Sequence, residues 1–394
     1  MGIILRKGER MEHLINERVK NIEISGIRKF YNLLSKYDDV LSLTIGQPDF
    51  QTPQHIKDAA KSALYENKTV YTHNAGLLEL RKAASKFVKI KYNLNYNEDE
   101  IIVTNGGSEA IDTSLRTILD EGCEVILPCP VYPGYEPIIR LCGAVPVYAD
   151  VRDSGFKLTP EKIKEKLTSK TRCIILPYPS NPTGAVLTKD ELLSIAQIIK
   201  DKDVFILSDE IYSELVYDIP HLSIASIESV RNKTIVINGL SKSHSMTGFR
   251  IGFIFAPSYI TKHALKVHQY NCTCACTISQ YAALEALTKG IDDSKYMKTE
   301  YKKRRDYVYE RLLNMGFEVN KPDGAFYIFP SIKKFNIKSL DFALKLLECK
   351  RVAVVPGDAF SSYGEGYIRI SYAYSMETLK EALNRIEDFI NTQF

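Results

Sequence analysis

Lys242 stands in the segment Gly239-Leu240-Ser241-Lys242-Ser243-His244-Ser245-Met246-Thr247-Gly248-Phe249-Arg250. The apolar run before it, Thr234 to Ile237, reads as a buried strand. Small hydroxyl residues flank the lysine, and Arg250 follows eight positions later. A primary amine can form a Schiff base with an aldehyde. Hydroxyls and backbone N–H groups can hold a phosphate, and a guanidinium can neutralise it. The set suits a covalent aldehyde cofactor with a phosphate tail. The plain alternative is a solvated loop lysine, so the rest of the chain must decide.

Five other places could share such chemistry. Gly106, Gly107 and Ser108 open a helix, where free N–H groups and the helix dipole favour one phosphate. A capped turn is the simpler reading of that segment. Asp209 closes the apolar run Val204 to Ser208, and a carboxylate there is costly unless paired. A protonated ring nitrogen would pair it; so would a salt bridge or a helix cap. Tyr212, three residues on, could bond a phenolate oxygen or simply pack. Asn181 precedes Pro182, which holds it extended and aims its amide, although Asn-Pro and Gly184 also signal a turn. Arg369, on the apolar run Tyr367–Ser371, needs a carboxylate, from a ligand or from within the chain.

The elements that must carry these residues alternate. Ile101–Thr104, Glu124–Leu127, Val145–Tyr148, Cys173–Leu176, Val204–Leu207, Ile235–Asn238 and Ile251–Phe255 read as strands. Glu109–Leu119 and Lys189–Lys200 have helical spacing between strands. This pattern predicts an α/β unit with a mainly parallel sheet flanked by helices. A charged helix over Tyr296–Asn314 leads to a smaller α+β unit. That unit has strands at Ala325–Phe329 and Tyr367–Ser371 and helices at Ser339–Leu347 and Met376–Asn391. Ligands of open parallel sheets sit at the carboxyl ends of the strands, where Asn105–Ser108, Asn181, Asp209 and Lys242 all fall.

With 394 residues the chain is long enough for two domains. Its 52 basic and 48 acidic residues leave a net charge of +4, which gives no case for nucleic acid or a membrane surface. No apolar run reaches the ~20 residues of a membrane span. The opening Met1–Lys7 is too short in its apolar core for a secretory signal. Met11 is an alternative start, with 1–10 as an N-terminal extension. Eight cysteines without a signal segment fit a reducing cytoplasm, the expected location. The run Cys272-x-Cys274-x-Cys276 lacks the wider spacing and the histidines of a metal site, so it reads as small residues packed near a helix start, and no metal is expected.

Taken in order, these motifs are similar to those of the fold-type I pyridoxal-phosphate aminotransferases of class I/II. Ser241–Gly252 carries the resemblance most specifically, with Asn181-Pro182-Thr183-Gly184 and Asp209-Glu210-Ile211-Tyr212 beside it. It extends from about Met11 to the C-terminus. It implies pyridoxal 5′-phosphate as cofactor, with Lys242 as Schiff-base lysine and proton carrier. Asp209 would pair with the ring nitrogen, while Asn181 and Tyr212 bond the phenolate oxygen. Gly107, Ser108 and Arg250, helped by Ser241, would hold the phosphate, and Tyr132 would stack on the ring. Arg369, with Asn181 and the backbone at Gly46, would clamp the substrate carboxylate. Tyr71 would reach the cofactor phosphate of a neighbouring subunit, which implies a homodimer with shared sites. The implied domains are an N-terminal segment 11–48 joining the small domain, a large cofactor domain 49–289, and a small domain 290–394.

The implied reaction moves an amino group from an L-amino acid to 2-oxoglutarate by ping-pong steps. Among family branches, Glu23–Phe30, Tyr132–Pro137, Leu176–Pro182, His263–Asn271 and Gly324–Pro330 look most like N-acetyl-LL-diaminopimelate aminotransferases of lysine and diaminopimelate synthesis. Cys272, Cys274 and Cys276 depart from the small or hydroxyl residues expected there. The alternatives are an aromatic or broad-specificity aminotransferase and a pyridoxal-phosphate β-lyase. A ligand sensor fused to a DNA-binding module would need a helix-turn-helix domain ahead of Pro48, and the preceding residues do not read as one.

Overall fold

The structure, a computed structural model, describes residues 11–394. The expected extension over 1–10 lies outside the described residues. Twelve strands are present among them. In chain order these are β1 (Leu41–Ser42), β2 (Ile101–Thr104), β3 (Glu124–Cys129), β4 (Val145–Asp150), β5 (Thr171–Leu176) and β6 (Phe205–Asp209). They continue with β7 (Thr234–Gly239), β8 (Gly252–Phe255), β9 (Tyr327–Ile328), β10 (Val352–Ala353), β11 (Val355–Pro356) and β12 (Ile368–Ser371).

Seven strands form the central sheet in the order β2-β8-β7-β6-β5-β3-β4. β7, β6, β5, β3 and β4 pair in parallel, whereas β8 runs antiparallel to both β2 and β7. Every residue of β2, β7 and β8 is buried, as helices covering both faces of a sheet require. The helix Gly107–Ile118 shows how the sequence does this. Ala110, Ile111, Leu115 and Ile118 form its buried stripe and Asp112 and Arg116 pair on its outer side. The helix Lys189–Ile199 begins with a reciprocal cap between Thr188 and Glu191.

Beyond the long helix Ser294–Asn314, β11, β12 and β9 form an antiparallel sheet covered by the helices Ser339–Lys350 and Met376–Gln393. The N-terminal segment joins this part, because β1 pairs in parallel with β10. One buried cluster runs from Phe30 and Leu43 through Tyr301, Phe326 and Tyr327 to Phe389, and it also takes in Tyr212 and Leu215 from beyond β6. The expected strand Ala325–Phe329 shortens to two residues: Ala325 has a φ of 58°, outside the extended region. The cysteine run leads to a helix start, as expected, with Cys276 at the N-cap of the helix Thr277–Thr288. Cys272 ends the helix Ser258–Cys272 and precedes the next helix, Thr277–Thr288, by a short turn. No helix among the described residues is long and apolar enough to cross a membrane.

Candidate active site

The carboxyl ends of the parallel strands face a cavity of about 400 Å³. Gly107 and Ser108 reach it from the turn after β2, Tyr132 from beyond β3, and Asn181 from beyond β5. Asp209 ends β6, while Ser241 and Lys242 follow β7. Arg250 reaches it because β8 is antiparallel: its first residues lie at the edge where the other strands end. Gly46 and Arg369 close the cavity from the smaller part of the fold. Eleven of the twelve expected positions, Tyr212 included, therefore line one space. Tyr71 does not. It is 83% exposed on the outer surface of this chain.

Among the described residues, the only charged side chains on the lining are Lys242, Arg250, Arg369 and Asp209. Lys242 Nζ donates to the Gly46 carbonyl at 2.5 Å. Burial, then the neighbouring Arg369 and Arg250 charges, push its amine down to about 8. Burial likewise pushes the Asp209 carboxyl up to about 6, against the hydrogen bonds it accepts. Those come from the Tyr135 hydroxyl at 2.6 Å and the Ile211 N–H at 3.2 Å. No lysine or arginine among the described residues forms a salt bridge with Asp209, so the simple ion-pair reading of this aspartate is not what the structure holds.

Arg369 is fully buried, 2% exposed, with no acidic partner among the described residues. Its Nη1 donates to Asn181 Oδ1 at 3.0 Å and its Nη2 to the Thr44 carbonyl, while Nε has no partner. The guanidinium lies 4.4 Å from the Tyr327 ring centroid. Removing one member of a buried ion pair typically costs several kcal/mol, so an unpaired buried guanidinium is tolerated where an anionic ligand completes it. Arg250 takes φ 55° and ψ 56°, a left-handed conformation rare for a residue with a side chain. There its guanidinium packs against Gly106, where a Cβ would stand 2.4 Å from Nη2 at a φ of +83°.

Two residues of the site have no role in the sequence reading. Tyr135 holds Asp209, and Tyr327 bonds the Tyr212 hydroxyl at 2.8 Å. Tyr327 also lies against Gly46, where a Cβ would meet its hydroxyl at 2.4 Å. Both sit in motifs already quoted, Tyr132–Pro137 and Gly324–Pro330. The signal was present, but only their partners, distant in sequence, give it meaning.

The donor set fits pyridoxal 5′-phosphate. A positive excess on the lining matches a phosphate at the Arg250 end and a substrate carboxylate at the Arg369 end. Asp209 is a buried acceptor without a cation, and Lys242 is a half-buried amine without an acid partner among the described residues. Tyr132 has room to stand over the cavity because its ring packs where Gly134 lacks a Cβ.

The model of the family "Aminotransferase class I and II" matches residues 38–386. The chain belongs to the class I and II aminotransferases. A Bacillus subtilis (strain 168) protein named probable N-acetyl-LL-diaminopimelate aminotransferase is 62% identical, covering 96% of each chain. An aspartate aminotransferase of Pyrococcus abyssi (strain GE5 / Orsay) is 42% identical over 95% of this chain and 97% of that one. Among solved structures, the aromatic aminotransferase of Pyrococcus horikoshii OT3 superposes with a TM-score of 0.87 at 43% identity, covering 92% of this chain and 98% of that one. The protein is thus a pyridoxal-phosphate-dependent transaminase of fold-type I, working on amino acids and 2-oxo acids. Within this aminotransferase family the relatives named here differ in substrate, and the conserved frame of the fold does not distinguish them.

Proposed function

We propose that this aminotransferase moves the amino group of glutamate to and from the 2-oxo acid of N-acetyl-LL-diaminopimelate, within lysine and diaminopimelate synthesis. The observation that carries the reading is the 62% identity over 96% of the chain to the relative so named. An aromatic or broad-specificity activity is the second reading. It draws on the apolar wall of Ile27, Ile45 and Pro177 and on Tyr132 and Tyr327, which could face a substrate ring.

When bound, the cofactor supplies an aldehyde carbon for the amino group and a ring that takes up the electron pair left when Cα–H breaks. The chain's residues do the rest. Gly107 and Ser108 offer helix N-terminal donors to the phosphate, and Arg250 with Ser241 completes its shell. Asp209, held by Tyr135, keeps the ring nitrogen protonated. Tyr212 and Asn181 donate to the ring oxygen, and Tyr132 packs over the ring face. Arg369 fixes the substrate α-carboxylate with Asn181 and the Gly46 backbone. Lys242 takes the proton from Cα and delivers it to the cofactor's C4′ carbon. Its depressed basicity leaves a substantial neutral fraction near pH 8.

Tyr71 then belongs to a second site. Leu64, Tyr65, Val70, Tyr71 and Tyr270 are all exposed, and together they would be covered in a cytoplasmic homodimer with Tyr71 at the neighbour's phosphate. The division into a segment 11–48, a large domain 49–289 and a small domain 290–394 is part of the same reading. It is supported by the β1–β10 pairing that carries the N-terminal segment to the second sheet.

Steady-state transamination with 2-oxoglutarate tests the substrate. We expect kcat/KM for N-acetyl-LL-diaminopimelate to exceed that for phenylalanine, tyrosine and aspartate by at least about tenfold, or 1.4 kcal/mol. A higher value for phenylalanine or tyrosine would replace the first reading by the second. The carboxylate clamp has its own test. Arg369→Ala should raise KM by about 10²-fold for every amino acid tried, since all share the α-carboxylate. An unchanged KM across substrates would remove Arg369 from that role.

A further inference from the structure

A second cluster of chemically able side chains lies outside the cavity, behind the phosphate turn. His268 and Cys272 are four residues apart on the helix Ser258–Cys272, so they share one face. That face packs on the helix Gly107–Ile118 at Glu109. Glu109 Oε1 accepts from His268 Nδ1 at 2.9 Å and from Cys272 Sγ at 3.0 Å, and those two atoms are 3.7 Å apart. One nitrogen, one sulfur and one carboxylate oxygen thus converge within 4.8 Å of one another.

We propose that Glu109, His268 and Cys272 form a three-residue binding site for Zn²⁺, with the fourth position open to water. A tetrahedral ion with bonds of about 2.0–2.3 Å sets its ligands about 3.3–3.6 Å apart. The trio meets that spacing when each side chain moves by a few tenths of an ångström. The mixed nitrogen, sulfur and oxygen set suits a borderline-soft divalent cation over Mg²⁺ or Ca²⁺. Charge points the same way. Burial alone would raise the Glu109 carboxyl, but hydrogen bonds from His268, the Asn105 N–H and Cys272 outweigh it and hold the group low. Glu109 therefore carries its charge with no lysine or arginine in ion-pair range among the described residues. Its side chain is 13% exposed and Cys272 is half-buried, so an ion and a water have a way in.

The protons balance simply. The ion displaces the Cys272 thiol proton to solvent, and the imidazole proton moves from Nδ1 to Nε2 through exchange with water. One proton is released per ion. His268 Nε2 is buried without a partner among the described residues. It lacks the outer acceptor that strengthens most zinc histidines, which makes this site weaker than a structural zinc centre. Glu109 Oε2 meanwhile accepts from the Asn105 N–H at 2.5 Å, tying the site to the turn that holds the phosphate.

The test uses the cofactor-loaded enzyme after exhaustive chelation. Zn²⁺ is titrated against a chromophoric chelator, and Co²⁺ is added separately to read coordination from its visible d–d bands. One Zn²⁺ per chain and an intense four-coordinate Co²⁺ spectrum are expected. Cys272→Ser keeps a hydrogen bond to Glu109 and so preserves the packing, yet should weaken Zn²⁺ at least about 10²-fold, as should His268→Gln. Stoichiometric binding that both variants retain would place the ion on other groups and overturn the proposal. So would no binding by a wild-type enzyme whose cofactor band is intact.

Discussion

Replacing Lys242 with alanine is expected to lower kcat by at least about 10⁴-fold, the upper range for a positioned acid–base group. The lysine is well placed for this. Its amine is half-buried, held by a backbone acceptor at Gly46, and lowered to about 8. The substitution leaves a space where the side chain was. A small primary amine added to the assay should enter that space and restore part of the rate, rising with amine concentration. Rescue separates a missing proton carrier from a damaged fold. A loss below tenfold, or a large loss without any rescue in a protein that still binds cofactor, would reject the role given to Lys242.

Asp209→Asn should act in opposite directions on activity and stability. Activity should fall by about 10²–10³-fold, the range for losing one preorganised electrostatic partner. The cofactor-free protein, however, should become more stable at pH 8. The Asp209 carboxyl stands at about 6 in the folded chain, mainly from burial, against its ordinary 3.8. Between those values the folded chain binds a proton that the unfolded chain has released, so stability declines as pH rises through this window. Above about pH 6 the whole penalty persists, on the order of 3 kcal/mol. Asparagine removes it, and the Tyr135 hydroxyl can rotate to meet the new side chain. Thermal unfolding of both cofactor-free proteins should show the variant melting higher at pH 8, with the gap narrowing below about pH 6. An equal or lower melting temperature at pH 8 would mean that Asp209 is not under this burial penalty.

The strand ends were readable because a buried strand is written in consecutive apolar residues and its last polar residue stands out. Asp209 after Phe205–Ser208 and Lys242 after Thr234–Gly239 are of this kind. Strand direction is not written that way. The run Ile251–Phe255 looks like its neighbours, yet β8 is antiparallel, and this alone brings Arg250 to the cavity edge. Support between distant residues was equally silent. Nothing near Asp209 in sequence announces the Tyr135 hydroxyl, and nothing in the cysteine run announces Glu109 on another helix. The arginine at 369 was legible as a residue needing an anion. That its partner is not an internal carboxylate became visible only when the packing around it was complete.

The pairing of β2 with β8 also bears on how the chain comes off the ribosome. β2 is an edge strand, and among the described residues its only ladder partner is β8, with Ile102 opposite Ile254. The turn proposed to hold the phosphate hangs from β2, so it stays without its sheet until the codons for β8 have been read. Long-range pairings of this kind form late and leave apolar strands waiting in the nascent chain. Cofactor capture therefore waits until the chain has been made at least through Phe255. A chain released early, even with Asp209 and Asn181 already made, would have no phosphate cradle to offer.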